Sequence, residues 1–289
     1  MTRAADAPNV RPGRCIDLEV LALDGAAGSL KNDRVVTEEP LELRLVAGKN
    51  AQTLAVTMRT PGNDFELAAG FAFSEGIVTA REELAGLSYC LDPGVDPDQR
   101  YNIVNVELAR RDLPDLERFE RHFTVGSACG VCGRTQLDSL RDRGVKPIEE
   151  TMTVATGLLY SLPGRMREAQ RIFASTGGLH AAALFDESGE AVVVREDIGR
   201  HNAVDKLVGW GLLNGRLPFT RSVLMVSGRA GYEILQKSAV ARIPVVCSVS
   251  APSSLAVDLA REFEITLAGF VRDDRANVYS RADRIAAAR

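Results

Sequence analysis

Two cysteines three positions apart, Cys129 and Cys132, lie in the segment Gly126-Ser-Ala-Cys-Gly-Val-Cys-Gly-Arg134. A thiol performs sulfur chemistry as the thiolate, whose population rises where amide N–H groups or cations lower its pKa. Glycines at 126, 130 and 133 let the backbone turn tightly and aim amides at a sulfur, and Arg134 supplies a cation nearby. Three chemistries suit such a pair. Half of a zinc site is one, and it needs two further ligands from His122, His180, His201 and the scattered Cys15, Cys90 and Cys247. A dithiol redox switch is the second, although the segment lacks the strand-to-helix setting of a thioredoxin motif. Carriage of a persulfide is the third, since this spacing lets one sulfur resolve or assist the other by exchange. The other three cysteines read as small buried hydrophobes, Cys247 above all, inside Val245-Val246-Cys247.

Other residues are suited to anions. Ser227-Gly-Arg-Ala-Gly231 follows an apolar strand and precedes a helix, so free amides and Arg229 could meet a phosphate there, with Gly228 giving close approach. Ser250-Ala-Pro-Ser-Ser254 and His201, beside Gly199 and Arg200, sit at helix starts of the same kind; each could equally be a plain turn or cap. Near the C-terminus, Phe270-Val271-Arg272-Asp273-Asp274-Arg275 brings two guanidinium forks beside an aromatic ring, a set that matches a guanine or a pyrophosphate. Asp273 and Asp274 add negative charge to that stretch.

The chain has 289 residues, 45% hydrophobic and 26% charged, enough for one large core or two smaller ones. A net charge of -4 and the absence of a Lys/Arg run argue against nucleic acid as a partner. No apolar stretch approaches the roughly 18 residues of a membrane span, and the N-terminus lacks an apolar signal region, so a cytoplasmic protein without membrane contact is expected. Five cysteines, an odd number in a chain this long, do not suggest a disulfide framework.

The elements that must position these groups divide into four stretches. Residues 1–14 read as a mobile tail, 15–122 as a β-rich N-terminal domain, 123–150 as the glycine-rich cysteine loop and a linker, and 151–289 as an α/β domain. In the first domain Leu41-Glu-Leu-Arg-Leu45 and Val104-Asn-Val-Glu-Leu108 alternate as half-buried strands. Phe65, Ala68, Ala69 and Ala72 mark a helix capped at Asn63-Asp64 and closed by Gly76. In the second, the pattern predicts a helix from Pro163 to Phe173, a hairpin of 180–185 and 191–194, then alternating helices and apolar strands ending at Leu267, in a largely parallel sheet. This order resembles a cytidine deaminase-like three-layer α/β/α architecture. Zinc deaminases place H-x-E and P-C-x-x-C at two of its helix starts. Here those places hold His201-Asn-Ala203 and Ser227-Gly-Arg-Ala-Gly231, so the scaffold is expected without its zinc chemistry.

Five blocks together, Thr60-Pro-Gly-Asn-Asp-Phe-Glu-Leu-Ala-Ala-Gly-Phe71, Ser127-Ala-Cys-Gly-Val-Cys-Gly133, Thr176-Gly-Gly-Leu-His-Ala-Ala182, Glu196-Asp-Ile-Gly-Arg-His-Asn-Ala-Val-Asp-Lys206 and Ser227-Gly-Arg-Ala-Gly-Tyr-Glu233, with a closing Gly-Phe-Val-Arg272, resemble the FdhD/NarQ family of formate dehydrogenase accessory sulfurtransferases. The resemblance covers nearly the whole chain beyond the tail. It implies that a cysteine desulfurase passes sulfur to the C-x-x-C, with Cys129 as persulfide carrier and Cys132 assisting or receiving. The sulfur then goes to the molybdenum bis-molybdopterin guanine dinucleotide cofactor, bound as cargo with no permanent metal, before insertion into the catalytic subunit of formate dehydrogenase. The family's cofactor-binding stretch falls on Phe270, Val271, Arg272, Asp273, Asp274 and Arg275, which would meet the guanine nucleotide, and the family implies a homodimer. Topology adds Gly228, Arg229 and His201 to that pocket. A cofactor chaperone without thiol chemistry and a zinc-binding regulatory protein are the rival functions.

Overall fold

The computed structural model describes residues 13–90, 94, 96–115 and 133–286. The first elements, β1 (Cys15–Asp24) and β2 (Ala27–Val36), pair only with each other, as a long antiparallel ribbon that leaves Ile16, Leu18, Leu21, Leu23 and Leu30 exposed. A four-stranded sheet follows, in the order β4 (Asn50–Arg59), β3 (Glu39–Ala47), β6 (Ile103–Leu108), β5 (Leu84–Tyr89). The expected alternation is realised: Leu41, Leu43 and Leu45 are fully buried while Glu42 and Arg44 pair on the other face at 3.0 Å. Helix α1 (Asp64–Ser74) covers the sheet with Leu67, Ala68 and Ala72. Asn63 does precede α1, but it is left-handed (φ 59°) and its side chain caps nothing; its Oδ1 accepts from Arg14 at 2.9 Å instead.

The larger sheet has six strands in the order β13 (Arg275–Ser280), β12 (Thr266–Arg272), β11 (Val245–Ser248), β10 (Val223–Val226), β8 (His180–Phe185), β9 (Ala191–Asp197). It is mixed rather than largely parallel. Among neighbouring strands only β10–β11 and β11–β12 run parallel, each pair joined by a helical crossover; β8 and β9, and β12 and β13, are hairpins whose short turns force antiparallel pairing, and β8 lies between β9 and β10, which a further helical crossover leaves parallel but not adjacent. Strand β13 escaped the sequence reading because it is an edge strand, mostly exposed, with no apolar run.

Successive residues of the central strands point to opposite helical layers. Leu184, Leu224, Val246 and Leu267 pack on α5 (Arg200–Leu213), α6 (Tyr232–Val240) and α7 (Ser254–Glu262). Phe185, Val223, Met225, Val245 and Cys247 pack on α3 (Thr156–Ala169), which follows α2 (Gly133–Asp142) and the short strand β7 (Val154–Ala155). The result is a three-layer α/β/α arrangement beside a β-rich one, the mixed α/β fold that the pattern implied. Helix α3 begins at Thr156, not at Pro163, and Pro163 lies inside it. Burial of Leu159, Leu162 and Met166 outweighs the hydrogen bond a proline forgoes. Gln170 then breaks the chain direction, and α4 (Arg171–Thr176) follows.

The two sheets are joined by α1 and α5, which cross at glycines. A Cβ on Gly70 would run into the Asp205 carbonyl oxygen, and one on Gly209 into that of Glu66. No helix of the described residues is long and apolar enough to cross a membrane.

Candidate functional site

Strands β9, β10, β11 and β12 all run toward one edge of the six-stranded sheet, since β8 is antiparallel to both of its neighbours and returns from that edge at His180. The N-termini of α5, α6 and α7 open onto this edge, where an α/β sheet commonly binds anions. Local sequence explains why. Glycines 199 and 231 provide the extended N-cap residues of α5 and α6 with no side chain to cap the amides, whereas Ser253 caps α7 by accepting from Ala256 N–H at 3.2 Å.

The loops are fastened to one another. Ser248 Oγ lies 2.7 Å from Gly228 O and 2.9 Å from Ser250 O, Ser253 N–H donates to Ala230 O at 3.0 Å, and Phe270 N–H donates to Ser250 O at 3.1 Å. The Ser227–Gly231 loop, the Ser250–Ser254 loop and the C-terminal motif are thereby one connected rim.

Of the residues singled out in that motif, Phe270 is half-buried in a left-handed conformation (φ 54°), and Val271 is fully buried in the core beneath the sheet, so only its backbone faces outward chemistry. Arg272, Asp273, Asp274 and Arg275 are exposed at the β12–β13 turn, where Arg272 and Arg275 stand opposite each other. Phe270, Arg272, Arg275, Ala276 and Asn277 line a surface recess of about 270 Å³. Two guanidinium groups at the mouth of a recess walled by an aromatic ring can meet a phosphorylated ring system from the side and from the face. Asp273 and Asp274 point charge of the wrong sign at the turn itself, but the recess lining does not include them.

Gly228 is buried and Arg229 exposed in the first loop. At the start of α5, His201 Nδ1 is 2.9 Å from Glu233 Oε2 at the start of α6, and the imidazole draws the Glu233 carboxyl down against the opposing effect of burial. His180 lies beside Gly228; burial pushes its pKa below the ordinary value, and Arg200 and His201 push it further. The position that holds glutamate in a zinc deaminase holds Ala203, fully buried, and among the described residues no three His, Cys, Asp or Glu side chains are grouped to hold a metal ion.

Cys129 and Cys132 lie outside the described residues. Helix α2 starts at Gly133, the residue after Cys132, and is anchored by buried Leu140 and by Arg141, whose Nε is 2.6 Å from Glu262 on α7. Cys247 is the inert thiol the sequence suggested: burial pushes its pKa up to about 12. The sequence reading gave no role to Arg200 or Glu233, and named His180 only among the possible ligands of a zinc site. Arg200 was legible as the residue next to His201 at a helix start, but Glu233 and His180 join it only through the antiparallel register of β8 with β10.

Comparison with known proteins shows the family. The FdhD/NarQ family model matches residues 36–286. The chain is 52% identical over 271 residues to the sulfur carrier protein FdhD of Streptomyces coelicolor, covering 93% of this chain and 94% of that one. It is 47% identical over 267 residues to the sulfur carrier protein FdhD of Mycobacterium tuberculosis, covering 89% and 95%. Its fold is similar to a crystal structure assigned to a formate dehydrogenase accessory protein of Desulfotalea psychrophila, with a TM-score of 0.72 at 24% identity over 95% of this chain and all of that one.

Proposed function

The chain belongs to the FdhD/NarQ family, and from that premise we propose that it is a sulfurtransferase that carries sulfur as a persulfide on Cys129 and delivers it to the molybdenum bis-molybdopterin guanine dinucleotide cofactor destined for a formate dehydrogenase. The observation that carries the reading is the pair Cys129-Gly-Val-Cys132, running directly into Gly133 of α2, in a chain about half identical to sulfur carrier proteins over nearly its full length.

The Cys129 thiolate attacks the outer sulfur of a persulfide on a cysteine desulfurase. The sulfur–sulfur bond of the donor breaks, its cysteine leaves as a thiolate, and Cys129 becomes the persulfide; no net oxidation occurs. Attack by the Cys132 thiolate on Cys129 Sγ would release the outer sulfur as hydrosulfide to the cargo and leave a Cys129–Cys132 disulfide for a cellular dithiol to reduce. Phe270, Arg272 and Arg275 hold a guanine nucleotide arm of the cargo in their recess, with the Val271, Asp273 and Asp274 backbone shaping the turn, and Gly228, Arg229 and His201 complete the anion-facing rim. On this reading the protein works in the cytoplasm as a homodimer, with the desulfurase as donor and the dehydrogenase catalytic subunit as client.

The test is sulfur loading. Purified wild type, Cys129→Ala and Cys132→Ala are incubated with a cysteine desulfurase and cysteine, and tryptic peptides are weighed. One added sulfur atom on the Cys129 peptide is expected in wild type and Cys132→Ala and none in Cys129→Ala, which should also fail to support formate dehydrogenase activity. Nucleotide binding with no added sulfur would make the protein a cofactor chaperone. Stoichiometric zinc, lost in Cys129→Ala, would make it a metal-bound regulator.

A further inference from the structure

The ribbon of β1 and β2 takes no part in the carrier chemistry, yet it holds most of the large apolar side chains that the described residues leave exposed. Its root is fixed: β2 packs on α4, and Val36 lies against Gly178, where an added Cβ would collide with it. Beyond the root both faces are wet. Apart from Cys15, Val20, Ala22 and Val36, every residue of the two strands is exposed. Leu21 and Leu30, directly opposite each other, are 62% and 67% exposed. A two-stranded hairpin alone is marginally stable in water, and an apolar ribbon with unpaired edges is a template for a further strand.

Charge decides which edge takes that strand and whose strand it is. β1 carries Asp17, Glu19 and Asp24 and no basic residue, so two copies of it laid antiparallel about Asp17 and Glu19 set acid against acid. β2 carries Lys31 and Asp33 on either side of Asn32. Both charges are exposed, stand on the ribbon face of Val20 and Leu18, and form no ion pair among the described residues. Arg34 differs, being paired already with Asp17 at 2.7 Å. Opposite charges placed one residue to each side of a centre make a strand complementary to itself. Turned about a twofold axis through that centre, each lysine meets the aspartate of the other copy.

We propose that the β2 edges of two copies pair antiparallel about Asn32, joining their ribbons into one four-stranded sheet with Lys31 of each copy opposite Asp33 of the other. The proposal rests on the homodimer proposed for the carrier and names the surface that makes it. The same register sets Leu30 of one copy opposite Arg34 of the other, whose aliphatic stem covers the leucine. It also sets Gly28 opposite Val36. Leu21 and Leu23 already lean over Gly28, 3.1 Å and 3.3 Å from where its Cβ would stand, so the valine of the second copy closes on them. Each ribbon tip thereby reaches the root of the other ribbon, beside Gly178 and the strand edge at His180.

The experiment is sedimentation equilibrium of the full chain at low ionic strength. Wild type should be a dimer. Lys31→Glu and Asp33→Lys each set like charges opposite one another at two places, and each should raise the dimer dissociation constant by roughly tenfold or more. An equimolar mixture of the two variants should associate as tightly as wild type, since each supplies the charge that the other lacks. This mutual rescue also shows that both variants are folded. Asn32→Cys, on the twofold axis, should cross-link two copies through position 32 under mild oxidation, as read by peptide mass mapping. Unchanged association in both variants, or a mixture that does not recover, overturns the interface and leaves the ribbon to a different partner. A monomeric wild type overturns the interface and the homodimer together. Sulfur loading of Cys129 in the same preparations keeps the carrier reading apart. Normal loading in a dimer indifferent to charge reversal removes this interface alone, and mutual rescue without loading removes the carrier reading alone.

Discussion

The run Glu196–Lys206 supplies two regions of opposite electrostatic character. Its inward half, Asp197, Asn202, Asp205 and Lys206, is buried and paired at almost every polar atom. Lys206 Nζ is 2.6 Å from Asp197 Oδ2 and 3.0 Å from Thr60 O, Asn202 Nδ2 donates to Met58 O at 2.7 Å, and Asp205 is 2.8 Å from Lys237. Its outward half, Arg200 and His201, stands half-buried at the sheet edge, where Arg229, Arg272 and Arg275 are exposed. The inward charges face partners from β4, its following loop and α6, and so fix how the two sheets meet. The outward charges face a rim with few acids of its own. Buried ions survive only when paired, so the first set reports on the fold; cations left short of partners at a strand edge report on a ligand.

If that division is correct, the inward set should be costly to disturb. Lys206→Met leaves Asp197 buried with only neutral donors, and is expected to destabilise the protein by about 3 kcal/mol in denaturant titration. Lys237→Met should behave alike with a pH signature. Burial already pushes the Asp205 carboxyl up to about 6 from its ordinary 3.8, against the pull of Lys237. The folded protein therefore holds that proton at pH values where the unfolded chain has lost it, and this group's contribution to stability falls as pH rises from about 4 to about 6. Without Lys237 the carboxyl rises further, so the stability lost relative to wild type should shrink as pH falls towards about 6 and level off below it. A difference between variant and wild type that stays flat from above neutrality down to about pH 6 would show that Asp205 is not the group left exposed to the penalty.

Next in size is Gly209→Ala. Its methyl would strike the Glu66 carbonyl on α1, backbone against backbone, so α1 and α5 must separate; a loss of about 3 kcal/mol is expected by thermal or chemical unfolding. Wild-type stability in this variant would mean that the helix crossing is looser than its two glycines suggest.

This same contrast marks what could be read from the amino acids. Strands with strict alternation, such as Leu41 to Leu45, and apolar runs such as Val245 to Cys247 announced themselves because burial imposes the period. Strand β13 did not, since Arg275–Ser280 at an edge buries little. Pro163 misplaced the start of α3 because a local rule was outweighed by the burial of Leu159 and Leu162. At the edge, Gly228, Arg229, His201 and the Phe270–Arg275 segment could be named from loop chemistry. The split of Glu196–Lys206 into a paired interior and an open rim could not, because it depends on Thr60 and Lys237, both distant in sequence.

Smaller effects sharpen the comparison among the helix starts. Ser253→Ala removes the side-chain cap of α7 and is expected to cost about 1 kcal/mol, the usual worth of such a cap. Placing serine at Gly231, where a Cβ would meet nothing within 4 Å, tests the converse. If the uncapped amides of α6 are kept for a ligand, the substituted protein should be slightly more stable and should bind GDP less tightly; a gain in stability with unchanged binding would show that those amides face only water.

The smallest expected effect on stability is also the cleanest separation of the two kinds of charge. Arg229 is exposed, and forms no ion pair among the described residues. Arg229→Gln should therefore leave the unfolding midpoint within about 0.5 kcal/mol of wild type. Its guanidinium nevertheless stands on the loop that Ser248 ties to the Phe270 segment, so it should contribute one charge-assisted hydrogen bond to a diphosphate. Such a bond is worth about 1.5 kcal/mol, or roughly tenfold in GDP affinity, and the difference should shrink as salt is raised. An exposed arginine that matters for binding and not for folding is the opposite of Lys206, buried and fully engaged. Equal GDP affinity in Arg229→Gln and wild type at low salt would place Arg229 among ordinary surface charges and confine the ligand-facing set to the recess at Arg272 and Arg275.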